Sequence, residues 1–480
     1  MARIVVIGAG MGAMAAAARL AVAGHRVTVY ERTETYGGAV RRFERDGFAF
    51  DTGPGLLHLP AVYRDLFVKT GKEPLEECVD LVQVDPASRQ VFADGTRVDL
   101  PNASRAGTVA ALDGALGAGA GERWGDFMVR AREAWDRTRR PLLEEPQPAD
   151  PAALGREPYP ALKAGFLRRP TTTLAGIGTR ELRDSRLAAL LDAYATAYGF
   201  DPATAPAAAA VLPYLEQTFG TWYVKGGIRA LADAVYARCL RRRVEFVFDA
   251  AVRDVLKEDG RATGVRLASG EAVEADQVVA GAPVPALLRD HVVAWGGRDD
   301  LAPHHQVLGT GRVTVCLALR GAREADAVHR TVVHAAGERP TVTVLRPGDP
   351  ALRPDDGHEA VTVTATVPLL PEGERDWRTV ADRAVAQAES AVPDLRGRLL
   401  WREVRTPEDT LRETGTAEVP GPALAGGAGK WLPAPNRSPL AGLHLAGGWS
   451  HPGGGLPHAG MSGALVAGLI VEGAGFRGSR

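Results

Sequence analysis

The stretch from Arg3 to Glu31 constrains this chain more than any other. Ile4-Val5-Val6-Ile7 is an apolar, β-branched run with the composition of a strand buried on both faces. It stops at Gly8-Ala9-Gly10-Met11-Gly12-Ala13, and the alanine-rich Met14 to Ala23 that follows is strongly helix-forming. Gly24 ends that helix, and Arg26-Val27-Thr28-Val29-Tyr30 reads as a second strand closing on Glu31. Strand, glycine turn, helix, strand and acid in this register form a dinucleotide-binding βαβ unit. Gly8 makes the tight turn, Gly10 puts no side chain in the way of a pyrophosphate, and Gly12 continues the motif. Ala13 lets helix and strand pack closely. The helix N-terminus offers free N–H groups and positive dipole to the phosphates. Glu31 lies 18 residues past Ala13, where a carboxylate can hold both ribose hydroxyls.

A chain of 480 residues is too long for one core, so two or three domains are expected. Its 57 basic and 58 acidic residues are mixed along the sequence and leave a net charge of -1, which gives nucleic acid no basic surface to bind. Cys78, Cys239 and Cys316 lie far apart without metal or redox spacing, so reduced, buried thiols and no metal are expected. Met1 to Gly24 superficially looks like a signal peptide, but Arg19 and the phosphate-turn glycines argue against that. No run of 18 uncharged apolar residues follows, and the expected location is cytoplasmic.

A second glycine pair, Gly37-Gly38, comes soon after Glu31, with Arg32 before it and Arg41 behind. This placement points to a pyrophosphate and ribityl chain continuing along the backbone, as in flavoproteins that hold FAD extended. Phe43 to Thr52, with Asp46-Gly47 as its turn, reads as a hairpin ending at Gly53-Pro54. The series GAGMGA, VTVYER and GGAVRRFERDGFAFDTGP resembles the N-terminus of the phytoene desaturase family of FAD-dependent carotenoid oxidoreductases. The stretch Tyr214-Leu215-Glu216 through Phe219-Gly220-Thr221-Trp222-Tyr223-Val224-Lys225-Gly226-Gly227 is similar to that family's "YxE…FGxWYPxGG" segment. Gly442 to Pro457, with Gly447-Gly448 and His451-Pro452-Gly453-Gly454-Gly455, resembles its C-terminal flavin motif.

The resemblance implies an α/β protein with a Rossmann-type FAD-binding domain and a discontinuous α+β substrate domain. The cofactor domain is expected over 1–59, 216–284 and 436–480, and the substrate domain over 60–215 and 285–435. FAD is the expected cofactor, with Val252 pairing its backbone with adenine and Gly447, Gly448 and Gly455 lying along the flavin. The helix expected from Ala459 would point its N-terminus at the ring, with the Met461 N–H near the C2 carbonyl. His451 and His458 are the tentative catalytic candidates. The implied reaction removes two hydrogens from a hydrophobic small molecule, with hydride passing to the flavin and oxygen or a quinone as acceptor. Peripheral membrane contact is a further possibility, because carotenoid relatives are implied to collect substrate from a bilayer.

The sequence departs from the family at Ala39, where Arg is frequent, at Val224 in place of Pro, and at His458 in place of Gly. A desaturase or amine-type oxidase acting on a smaller metabolite therefore stays open, as does a flavin-containing binding protein without turnover. No second glycine-rich βαβ for a nicotinamide is present in the sequence.

Of the two excursions, 60–215 reads as mainly helical, with a proline- and acid-rich stretch over 141–160 that reads as a solvent-facing linker or a mobile flap. Arg168, Arg169, Arg180, Arg183 and Arg186 form a basic cluster there, read as a solvated helical face. The second, 285–435, reads as an antiparallel sheet roofed by a helix over 379–391, and is expected to wall in a large hydrophobic substrate. His304, His305, His329, His334 and His358 have no ligand spacing and are expected to be structural.

Overall fold

The computed structural model describes residues 1–148, 150–162, 170–293, 309–337, 339–369 and 376–478. Arg168, Arg169, His304 and His305 lie outside them.

The βαβ unit forms as the pattern dictates. Strand Arg3–Ile7 lies at the centre of a five-stranded parallel sheet, followed by helix Met11–Val22 and strand Arg26–Tyr30. Across the sheet the order is Glu245–Val247, Arg26–Tyr30, Arg3–Ile7, Gln277–Ala280 and Leu443–Leu445. Strands from three widely separated parts of the chain thus complete one doubly wound sheet. The helix can be almost all alanine because it is packed tightly: Ala15, Ala16, Ala17 and Ala18 are fully buried, with helices Leu456–Glu472 and Arg229–Arg241 against it. The hairpin Arg42–Arg45 with Phe48–Asp51 turns at Asp46 and Gly47, both at positive φ. The Asp51 carboxylate accepts N–H bonds from Ile228 (2.9 Å) and Arg229 (3.4 Å), tying the hairpin to helix Arg229–Arg241. Burial pushes that carboxyl up to about 6.

Both excursions contribute to a seven-stranded sheet. Its order is Leu399–Arg405, Thr310–Arg320, His358–Pro368, Val342–Leu345, Arg330–Val333, Ser88–Val91 and Arg97–Leu100. Neighbours are antiparallel except where Arg330–Val333 runs parallel to Ser88–Val91, a strand of the first excursion. One face is apolar: Val313, Val315, Leu317, Val361 and Val363 pack against Ala381, Ala384 and Val385 of helix Trp377–Ala388. The rest of the first excursion is a helical cluster around Trp124, Phe127, Leu187 and Leu190.

The 141–160 segment is not a solvent-facing linker. Leu142, Leu143, Leu154 and Tyr159 are buried, and the Tyr159 hydroxyl donates to Glu181 at 2.7 Å. Its prolines and acids sit between apolar anchors, and composition alone does not reveal that. Of the basic cluster, Arg186 is held by Asp184 and Asp94. Cys78, Cys239 and Cys316 are free thiols, and burial pushes the latter two up to about 12. Among the described residues no group of His, Cys, Asp and Glu could hold a metal ion, and no helix is long and apolar enough to cross a membrane.

Candidate functional site

The glycine turn opens onto a cavity of about 790 Å³ that runs from the parallel sheet to the polar face of the seven-stranded sheet. At its entrance Gly8 adopts φ +87° and donates its N–H to the Tyr30 carbonyl at 2.7 Å, closing the turn on the second strand. Gly10 caps the helix at φ −71°, and a Cβ built on it would meet nothing nearer than the Gly281 carbonyl at 4.0 Å. That space is open to the cavity. Gly12 is different: a Cβ there would lie 2.6 Å from Gly447 Cα and 2.7 Å from the Ala459 carbonyl. Ala13 packs on Gly281 and does not reach the cavity. Gly37 and Gly38 lie against the turn, with the Gly37 N–H donating to the Ala9 carbonyl at 2.8 Å. A Cβ on Gly38 would come within 3.1 Å of Gly10 Cα.

Glu31 ends the second strand, and both carboxylate oxygens are engaged at the cavity rim. One accepts the Ala9 N–H at 2.8 Å, and the other accepts the Thr33 N–H and hydroxyl at 3.0 Å each. Arg41 donates to the Gly38 carbonyl (3.2 Å), the Thr33 hydroxyl (3.1 Å) and the Glu413 carbonyl (3.2 Å), while Arg32 donates to the Arg412 carbonyl at 2.9 Å. Among the described residues neither guanidinium has a carboxylate partner, so two uncompensated cations flank a turn built of backbone N–H groups. This donor set suits a pyrophosphate.

Val252 reaches the same cavity with Ala251 and Ala268, at the start of strand Val252–Glu258. Gly53 and Pro54 line it as well, and a Cβ on Gly53 would fall 2.0 Å from the Ala39 carbonyl, so the loop closes only with glycine there. From the C-terminal end come Gly447 (φ +105°), Gly448 and Gly455 (φ +96°). Helix Leu456–Glu472 begins three residues earlier than the sequence indicates, with Gly455 as its cap and Pro457 in the first turn, a position where proline costs no hydrogen bond. The cavity is lined by Gly455, Leu456, Pro457 and Ala459, and not by Met461, which lies inside the helix where its N–H belongs to the intrahelical ladder.

The structure does not bring His451 or His458 to this cavity. His451 is fully buried, with Nε2 2.9 Å from the Glu145 carbonyl. His458 lines a separate void of about 20 Å³ with Trp135, Leu142 and Leu215. Burial holds both rings neutral, lowered to about 4. Their placement inside a glycine-rich motif carried no information about which way the rings turn.

The far end of the cavity holds residues given no role in the sequence reading. Helix Val211–Phe219 brings Glu216, whose carboxylate pairs with Arg330 Nη1 at 2.8 Å and lies 3.6 Å from His58 Nε2. Tyr194, Tyr198 and Arg312 line the same region, and Arg312 donates to the Ala197 carbonyl at 2.7 Å. On this side the sheet presents Thr314, Thr343, Thr364 and Thr366, beside Val332 and Leu345. The valines on alternate positions are already used by helix Trp377–Ala388, so the other face is the one left to the cavity. Glu216 was visible within a motif; Arg330 had no signal, because only strand pairing carries it there.

Known proteins agree with this architecture. The family described as flavin containing amine oxidoreductase matches residues 14–471. The chain is 29% identical to a 4,4'-diapolycopene oxygenase from Methylomonas over 98% of each chain. It is 30% identical to a hydroxyneurosporene desaturase from Cereibacter sphaeroides, over 98% of this chain and 97% of that one. Among solved structures, a putrescine oxidase superposes with a TM-score of 0.69 over 98% of this chain and 99% of its own at 16% identity, a likeness of fold. A βαβ turn with open space at Gly10, two unpaired arginines and a C-terminal glycine motif along one cavity fit FAD, and with that match the chain belongs to the family of flavin containing amine oxidoreductases, as an FAD-dependent oxidoreductase.

Proposed function

We propose that the chain desaturates a polyisoprenoid of carotenoid type, removing two hydrogens from a long substrate laid in the inner part of the cavity. The observation that carries this reading is the single cavity of about 790 Å³, which continues from the nucleotide-binding turn to the seven-stranded sheet. The names of the diapolycopene oxygenase and hydroxyneurosporene desaturase relatives support the substrate class. Bound FAD would supply a two-electron acceptor for one hydrogen removed as hydride, and the other would leave as a proton to solvent. Gly8, Gly10, Arg32 and Arg41 would hold the pyrophosphate, Glu31 the ribose hydroxyls, Val252 the adenine, and Gly53, Pro54, Gly447, Gly448 and Gly455 the flavin end. The first turn of helix Leu456–Glu472 lines the same cavity, and its positive end would stabilise negative charge on a flavin bound there.

Oxygen or a quinone is the proposed final acceptor, and a quinone would draw the chain to a membrane surface without crossing it. The seven-stranded sheet, shared by 60–215 and 285–435, supports treating both excursions as one substrate domain, with 1–59, 216–284 and 436–480 as the cofactor domain.

The test is anaerobic mixing of the purified yellow protein with an acyclic C30 or C40 polyene. Bleaching of the flavin band with a product lighter by two hydrogens is expected. A flavin that dithionite bleaches but no polyene does would end the polyisoprenoid reading and favour a smaller metabolite.

A further inference from the structure

The inner wall of the cavity is mixed: a row of threonines and two arginines stands among apolar side chains such as Val332 and Leu345. Strand pairing sets Thr314, Thr364 and Thr343 side by side across three strands, and Thr366 next to Arg312. These side chains share one face of the sheet, because alternate residues point the same way. On the next strand, Arg330 stands opposite Leu345, whose side chain abuts Gly55 near the cofactor end. Arg330 and Glu216 expose only 12% and 11% of their side chains. A guanidinium carries five N–H donors. The ion pair with Glu216 engages Nη1 and leaves donors beside the cavity, with His58 and Tyr198 near by.

Glu216 neutralises one arginine, and burial holds His58 in its neutral form. Arg312 has no carboxylate partner among the described residues; its recorded bond is to the carbonyl at the end of helix Ser185–Ala197. Farther along the wall, Arg405 is already paired with Glu413. Glu418 lines the cavity too, with Oε2 buried and without a hydrogen-bond partner among the described residues, so the inner end holds hydrogen-bonding side chains of both signs. A bare polyene filling it would strip water from these groups and return no hydrogen bond, at a cost for each buried group.

We propose that Arg330, held by Glu216, and the Thr314–Thr364–Thr343 row form a recognition site for an oxygen-bearing end of the substrate, a hydroxyl, carbonyl or carboxylate on an otherwise apolar chain. The inference rests on the dehydrogenation reading above and narrows it: an oxygenated polyene is preferred over the hydrocarbon of the same length. Arg330 acts here in specificity, and hydrogen removal takes place on the apolar part of the chain.

The experiment uses the flavin-loaded protein and three matched probes: an acyclic C30 polyene hydrocarbon, its terminal alcohol and its terminal carboxylic acid. Binding is followed by each polyene's own absorbance shift, and reduction by anaerobic flavin bleaching. The oxygenated probes should bind roughly tenfold to a hundredfold tighter than the hydrocarbon, the range for hydrogen bonds to a charged group. In the double variant Arg330→Met/Glu216→Gln, which leaves no orphan buried charge, that ratio should fall towards one while flavin content stays that of the wild type. Thr364→Val, nearly isosteric, should lower the ratio severalfold and guards against a double variant that does not fold. Equal or better binding of the hydrocarbon by the wild-type protein overturns the proposal and leaves the desaturation reading standing. Tight binding of the oxygenated probes without bleaching supports the recognition site and overturns the desaturation reading. No binding of any probe overturns both.

Discussion

Gly10→Val should fold normally and purify colourless, without FAD. The backbone at Gly10 has φ −71°, which valine adopts without strain, and a Cβ there meets no protein atom closer than 4.0 Å. The folded chain thus has room for the side chain, and the cofactor does not. Losing two or three N–H contacts to phosphate, each about 1.5 kcal/mol, weakens FAD binding roughly a thousandfold. Gly12→Val gives the opposite pattern. Its Cβ would sit 2.6 Å from Gly447 Cα and 2.7 Å from the Ala459 carbonyl, both backbone atoms that cannot step aside. Overpacking of this kind should cost about 3 kcal/mol of stability. Circular dichroism melting of the two variants, alongside flavin absorbance, separates them. A yellow Gly10→Val, or a Gly12→Val as stable as the parent, would show that the roles of these glycines are assigned wrongly.

Acidification from pH 7 to pH 5 should draw stability from three buried histidines, against a partial gain from Asp51, Asp192 and Glu157. Burial raises these carboxyls to about 6, 6 and 7, so they take up protons in the folded state first. His334, His451 and His458 are buried and held neutral, each lowered by burial to about 4 from 6.5. At these rings the unfolded chain takes up protons as pH falls through 6.5, and the folded chain does not until about 4. Their contribution is therefore fully present above pH 7, falls between 6.5 and 4, and changes no further below that. At pH 5 each ring costs about 2 kcal/mol, roughly 6 kcal/mol for the three, of which the carboxyls offset a part. His451 and His458 anchor the loop and helix start that line the flavin end, so flavin fluorescence should rise along the same pH profile as unfolding. Urea midpoints that rise from pH 7 to pH 5 would mean that these rings take up protons in the folded state.

The sequence by itself determined the βαβ unit, the hairpin at Asp46-Gly47 and the cofactor. All three are local: a few neighbouring residues decide the turn, the cap and the strand, and a phosphate site needs only a glycine turn with a helix behind it. The second excursion's character as an antiparallel sheet roofed by a helix was also legible. Only the tertiary structure decided which face meets the cavity. Helix Trp377–Ala388 claims the valines of Thr310–Arg320 and His358–Pro368, and the threonines are left to the cavity. Arg330 reaches Glu216 because its strand pairs with Ser88–Val91, more than two hundred residues earlier. The histidines of the C-terminal motif turn away for the same kind of reason. The 141–160 segment packs beneath the loop and offers His451 the Glu145 carbonyl, 306 residues distant in the chain. A contact of that span depends on how separate elements dock, and no pattern within either segment encodes it.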